Sequence, residues 1–66
     1  MLFKDALKDA LEEQGMSVRA ASKLAGVPGG DIKAYLEGVP PKYQREQQLC
    51  EALGIDPDSI TSDDRA

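Results

Sequence analysis

The sequence has 66 residues and a net charge of −4, with no histidine, no tryptophan and a single cysteine, Cys50. A chain of this length buries only about 60% of its unfolded surface, so it can form one small domain with a modest core. The missing histidine excludes a histidine general base, a Cys–His pair and a zinc site of cysteine and histidine ligands. A lone cysteine cannot form an internal disulfide. We therefore expect no enzyme, cofactor, metal or small-molecule substrate.

The charges are distributed unevenly along the chain. Residues 14–45 contain five basic residues against two acids, a net charge of +3, whereas the remainder contains three basic residues against ten acids, a net charge of −7. A local excess of basic residues favours a polyanionic partner more than the whole-chain charge indicates. No apolar run reaches the length of a signal-peptide core or a membrane span, so we expect a cytoplasmic protein without membrane contact.

The first predicted helix follows directly from apolar spacing. Phe3, Leu7, Ala10 and Leu11 fall at positions i, i+4, i+7 and i+8, which is the pattern of a helix with one buried face. Gly15 is expected to follow the end of this helix in the left-handed region.

A second, shorter helix is expected from Ser17 to Gly26. Ser17 is a suitable N-cap because its hydroxyl can accept a hydrogen bond from a first-turn amide. One face contains small and aliphatic residues: Val18, Ala21, Ser22 and Ala25. Gly26 is expected at positive φ, where it lets the chain turn toward the next helix. Two short helices joined in this way form a helix-turn-helix unit.

The next helix is predicted over about residues 28–37. Ile32, Tyr35 and Leu36 form its apolar stripe, Pro28 suits the first turn, and Gly38 is expected to end it. The connector Val39-Pro40-Pro41 follows, because proline disfavours the helical region for the residue before it.

A fourth helix is predicted from about Lys42 to Leu53, with Gly54 after its end. Its apolar positions are Tyr43, Leu49, Cys50 and Leu53, and we expect Tyr43 and Cys50 to pack in the core. A short final turn is expected with Asp56 as N-cap and Pro57 in first position. Residues 61–66 are expected to be a disordered acidic tail.

These elements predict an all-α bundle of four to five short helices over residues 1–60. The predicted core is one cluster of eight residues: Leu7, Leu11, Ala21, Val27, Ile32, Leu36, Leu49 and Leu53.

The segment 17–27, followed by Ile32, Gly38, a proline pair and Leu53-Gly54-Ile55, resembles the lambda-repressor-like, Cro-type (XRE) helix-turn-helix proteins. In that family a small residue, here Ser22, lies before a Gly-Val turn, here Gly26-Val27. The resemblance covers about residues 2–60. It implies a lambda-repressor-like bundle that binds double-stranded DNA and regulates transcription, as a phage or prophage repressor does.

The resemblance also implies the DNA-contacting positions. The helix after the Gly-Val turn enters the major groove, and its early side chains lie at Gly29, Gly30, Asp31, Lys33 and Ala34. The expected backbone-contacting positions are Arg19, Lys23, Lys42, Tyr43 and Arg45, with the core position as the favoured alternative for Tyr43.

Two further expectations concern partners. A two-fold operator is usually read by a dimer, so a homodimer is compatible with this function. The alternative is a helix-turn-helix fold that binds a protein, such as an antirepressor, an adaptor or an inhibitor of a host factor. The acidic net charge and the absence of glutamine, asparagine and arginine from residues 28–37 favour this alternative.

Overall fold

The computed structural model describes residues 1–60, which contain helices and no strand. The helices are α1 (Phe3–Glu13), α2 (Val18–Ala25), α3 (Gly29–Leu36) and α4 (Tyr43–Leu53), followed by a 3-10 turn, Pro57–Ser59. The predicted all-α bundle of four to five short helices is confirmed. The predicted acidic tail, residues 61–66, lies outside the described residues. No helix between residues 1 and 60 combines the length and the apolar character needed to cross a membrane.

α2 and the 3-10 turn each begin with a side-chain cap at the residue that the sequence predicts. The Ser17 hydroxyl accepts a hydrogen bond from the Ala20 amide at 3.1 Å. The Asp56 carboxylate accepts one from the Asp58 amide at 3.0 Å, and Pro57 is in the first turn. Each cap satisfies a backbone donor that has no partner within its own helix.

The turn between α2 and α3 depends on a left-handed glycine. Gly26 has φ 71°, and its amide donates to the Ser22 carbonyl at 2.9 Å. The next residue, Val27, is 1% exposed. The chain therefore reverses between two helices that pack against each other and buries the residue that follows the turn. The predicted glycine turn between α2 and α3 is present.

The core joins all four helices. Its buried members are Phe3, Ala6, Leu7, Ala10, Leu11, Ala21, Val27, Ile32, Tyr35, Leu49, Cys50, Leu53 and Ile60.

One of the eight predicted core residues is wrong. Leu36 is only partly buried, and Tyr35 is buried on α3 beside Ile32 instead. The reason is a contact with α1: the rings of Phe3 and Tyr35 pack edge to face with centroids 6.1 Å apart.

The prediction that Tyr43 packs in the core is also wrong, because its side chain is 62% exposed. The buried face of α4 begins one turn later, at Glu46, and continues through Cys50 and Leu53. Tyr43 lies in the first turn, before that face begins. Glu46 itself is 2% exposed, although its acidic side chain predicts a surface position.

A side chain joins the carboxyl ends of α1 and α4. The Gln14 side-chain amide donates to the Leu53 carbonyl at 2.7 Å, and so satisfies an acceptor of the last turn of α4. α2 packs against both α3 and α4, and α1 packs against α3. This packing places the outer faces of α2 and α3 and the start of α4 on the surface.

Candidate nucleic-acid interface

The outward face of α3 is a narrow stripe whose first residue has no side chain. Ile32 and Tyr35 point into the core, so the exposed positions are Gly30, Lys33 and, at the end of the helix, Glu37. These three positions are spaced three and four residues apart and form one stripe. Lys33 is the only residue of the stripe that can donate a side-chain hydrogen bond.

The two glycines of α3 are not required by its own packing. Both lie in the helix without positive φ. A Cβ at Gly30 would meet no atom within 4 Å, and one at Gly29 would make ordinary contacts of 3.9 Å with Ser22 and Val18. Glycine in a helix costs about 0.5–1 kcal/mol relative to alanine. The fold would therefore be more stable with alanine at either position.

Exposed cations lie on the elements beside α3. Arg19 and Lys23 are one turn apart on α2, and both are exposed. Lys42, also exposed, is the residue before α4, and α4 begins without a side-chain cap. The first-turn amides of an uncapped helix, with a lysine beside them, favour an anion such as a phosphate.

A groove of about 950 Å³ separates α3 from α4. Four of the ten predicted DNA-contacting residues line it together: Asp31, Ala34, Lys42 and Arg45. The other six lie outside it: Arg19, Lys23, Gly29, Gly30, Lys33 and Tyr43.

Tyr43 does not line the groove. It lines a neighbouring pocket of about 300 Å³, and Gln47, which lines both, donates its side-chain amide to the Tyr43 hydroxyl at 2.7 Å. The structure therefore brings Lys42 and Arg45 together in the groove without Tyr43.

Opposite charges act on the tyrosine that lines the groove. Burial raises the pKa of Tyr35, the negative charge of Asp31 raises it further, and the positive charge of Arg45 lowers it. Asp31 and Arg45 therefore influence the same hydroxyl. Because their charges oppose each other, the groove is electrostatically mixed, and Arg45 partly offsets the repulsion that Asp31 exerts on an approaching phosphate.

Four groove residues of α4 were missed at the level of sequence: Gln44, Gln47, Gln48 and Glu51. The sequence shows them only as a polar stretch, which is typical of any solvated helix face. Their placement beside α3 depends on the packing of the bundle. The only signal for it is the connector Val39-Pro40-Pro41, which returns the chain from α3 to α4, and two of its residues, Val39 and Pro40, line the groove.

No family model matches this sequence, and neither a curated protein nor a solved structure is similar enough to be matched with it.

Proposed function

We propose that this protein is a small DNA-binding transcriptional regulator of the lambda-repressor-like type, which inserts α3 into the major groove of double-stranded DNA. The observation that carries the proposal is the exposed stripe of α3, which begins at Gly30, contains Lys33 and is flanked by the exposed cations of α2 and of the start of α4. In this arrangement Arg19, Lys23 and Lys42 bind phosphates, and Lys33 contacts base edges.

The glycines of α3 support the same proposal. An exposed helical glycine that no packing contact requires lowers the stability of the free protein. The absence of a Cβ at Gly30 allows the backbone of α3 to come closer to a partner than any other residue permits. A helix that enters a groove about 12 Å wide benefits from such a slender leading turn.

The charge distribution determines how binding depends on salt. The whole chain carries −4, so its long-range field does not attract DNA, and attraction must come from the net +3 of residues 14–45. We therefore expect modest affinity that decreases steeply with salt.

The experiment is selection from a pool of randomised duplexes, followed by affinity measurements at about 50 and 200 mM salt. We expect enrichment of a sequence family and weaker binding at the higher salt. Gly30→Ala should raise the thermal midpoint while it weakens binding to the selected duplex. If the folded protein retains no duplex even at the lower salt, the proposal is wrong.

A second candidate function is protein binding by the same fold. The observation that favours it is Leu24, which is 56% exposed on α2 and gives that helix an apolar side chain beside its cations. Exposed apolar side chains of this kind contribute to protein interfaces. If the protein acts as an antirepressor, an adaptor or an inhibitor of a host factor, Asp31 and the surface of Gly29 and Gly30 belong to its docking site for the partner protein. The selection from randomised duplexes then enriches no sequence.

A further inference from the structure

The outer face of α2 combines cations with apolar side chains. Arg19 and Lys23 are exposed and one helical turn apart, and Ala20 and Leu24 repeat that spacing beside them. Leu24 is 56% exposed, so its side chain projects from the surface. α2 therefore presents an apolar pair next to a basic pair.

A pocket on α1 has the complementary pattern. It has a volume of about 260 Å³ and lies between α1 and residues 53–55, with Ala6 and Ala10 among its apolar lining. Asp9 and Glu13, which are exposed and one turn apart, line the same pocket. α1 therefore presents an acidic pair next to an apolar pair.

The charge at this pocket is negative. The two acids outnumber the Met1 ammonium, which also lines the pocket and donates a hydrogen bond to the Ser59 carbonyl at 3.0 Å. Lys4 and Lys8, the exposed lysines of α1, do not line it. The pocket therefore favours an apolar side chain that has a cation next to it.

The faces of α1 and α2 match in spacing as well as in charge. Residues four apart on an α-helix are separated by about 6 Å along its axis, so the acidic pair and the basic pair have the same repeat. If α2 of one copy lies along the pocket of another, its two cations reach the two acids while Leu24 enters the apolar part.

We propose that this protein self-associates head to tail, with α2 of one copy seated in the α1 pocket of the next. The two surfaces differ, so each added copy leaves one pocket and one α2 face open, and growth continues beyond a dimer. The inference goes beyond DNA binding and does not depend on it. Association covers Arg19 and Lys23, and so competes with the phosphate contacts proposed for them.

Sedimentation equilibrium of the full chain at low salt, from about 0.05 to about 1 mM protein, tests the association. The weight-average mass of the natural sequence should rise with concentration and exceed that of a dimer. Added salt should lower it, because exposed ion pairs are screened.

Two double variants each remove one surface. Asp9→Lys with Glu13→Lys reverses the charge of the pocket, and Arg19→Glu with Lys23→Glu reverses that of α2. Each should remain monomeric alone, because like charges then face each other. An equimolar mixture should associate again, because the first variant retains the natural α2 and the second retains the natural pocket.

The matched control is Asp5→Lys with Glu12→Lys. It changes the net charge by the same amount, on exposed positions of the same helix that do not line the pocket. It should associate as the natural sequence does. Circular dichroism checks that every variant is folded.

Three outcomes overturn the inference. A natural sequence that stays monomeric up to about 1 mM leaves the pocket to a different partner. Association that stops at a dimer and is not restored by mixing means that copies meet through one symmetric surface. Equal loss in the control means that net charge, rather than the pocket, governs association. No sample contains DNA, so none of these results decides the DNA-binding proposal.

Discussion

The hydroxyl of Ser22 donates a hydrogen bond to the carbonyl oxygen of Val27 at 2.6 Å. This bond spans the turn between α2 and α3, and therefore connects the last part of one helix to the residue that leads into the next. Val27 is 1% exposed, so water cannot readily replace the donor. The orientation of α3 relative to α2 thus depends partly on one serine.

Ser22→Ala should lower the free energy of unfolding by about 1–3 kcal/mol, because it removes the donor from a carbonyl of a buried residue. Ser59→Ala is a matched control, since the Ser59 hydroxyl donates to the Asp56 carbonyl at 2.7 Å on the exposed surface. Water can replace that donor, so the control should change stability by less than about 0.5 kcal/mol. Urea unfolding measures both. Similar losses in the two variants would show that the Ser22 bond has no special role.

Leu53→Ala should destabilise the protein by about 2–5 kcal/mol, because it leaves a cavity in the core. Leu53 is 3% exposed, whereas Leu24 is 56% exposed and undergoes the same change without forming a cavity. Thermal melts of Leu53→Ala and Leu24→Ala should therefore differ widely. A melt of Leu53→Ala close to that of the natural sequence would contradict the position of this core.

The local features of the fold are predictable from sequence, because they depend on neighbouring residues alone. Ser17 and Asp56 cap their helices as expected, and Gly26 turns the chain at positive φ. A serine or aspartate before a helix caps its first turn, and a glycine after a helix ends it in the left-handed region. Both effects act within a single turn of helix.

The tertiary features are less predictable. Tyr35 lies in the last turn of α3 and Tyr43 begins α4. Within residues 1–60, Tyr35 meets a ring from another helix, that of Phe3, and Tyr43 does not. Burial of Glu46 and the approach of Gln44 to α3 likewise depend on how α4 packs. The helix proposed to bind DNA could therefore be predicted, whereas the groove beside it could not.

Replacing Gly26 and replacing Gly29 with alanine should have opposite effects on stability. Gly26→Ala forces a side chain into the left-handed region, at a cost of about 1–2 kcal/mol. Gly29→Ala adds a Cβ to a regular helix at ordinary contact distance and should stabilise the protein by about 0.5–1 kcal/mol. Thermal midpoints measure the difference. Equal shifts would show that Gly26 does not control the turn.

The raised pKa of Tyr35 predicts a loss of stability in alkaline solution. Because the pKa in the folded state lies above the unfolded value of 10.0, the contribution of Tyr35 is fully present below pH 10. It is lost as the pH rises through the folded-state pKa, since the unfolded chain releases its proton first. Tyr35→Phe should remove this component, so the unfolding free energy of the natural sequence should fall relative to that of Tyr35→Phe above about pH 10. A constant difference across that range would contradict the assignment.

Three substitutions near α3 separate a DNA-binding protein from a protein-binding one. Lys42→Ala should weaken binding to all duplexes alike and reduce the salt slope by about one unit, because it removes one phosphate contact. Lys33→Ala should instead relax selectivity at a single base pair, by about 1–3 kcal/mol. Asp31→Asn should strengthen binding to any duplex, since it removes a negative charge from the groove. Fluorescence anisotropy with the selected duplex and a scrambled one, at two salt concentrations, measures all three.

A protein-docking surface predicts the reverse for Asp31→Asn: weaker binding to the partner and no affinity for either duplex. Loss of selectivity in Lys42→Ala, with selectivity kept in Lys33→Ala, would mean that the base-reading and phosphate-binding roles are assigned to the wrong lysines.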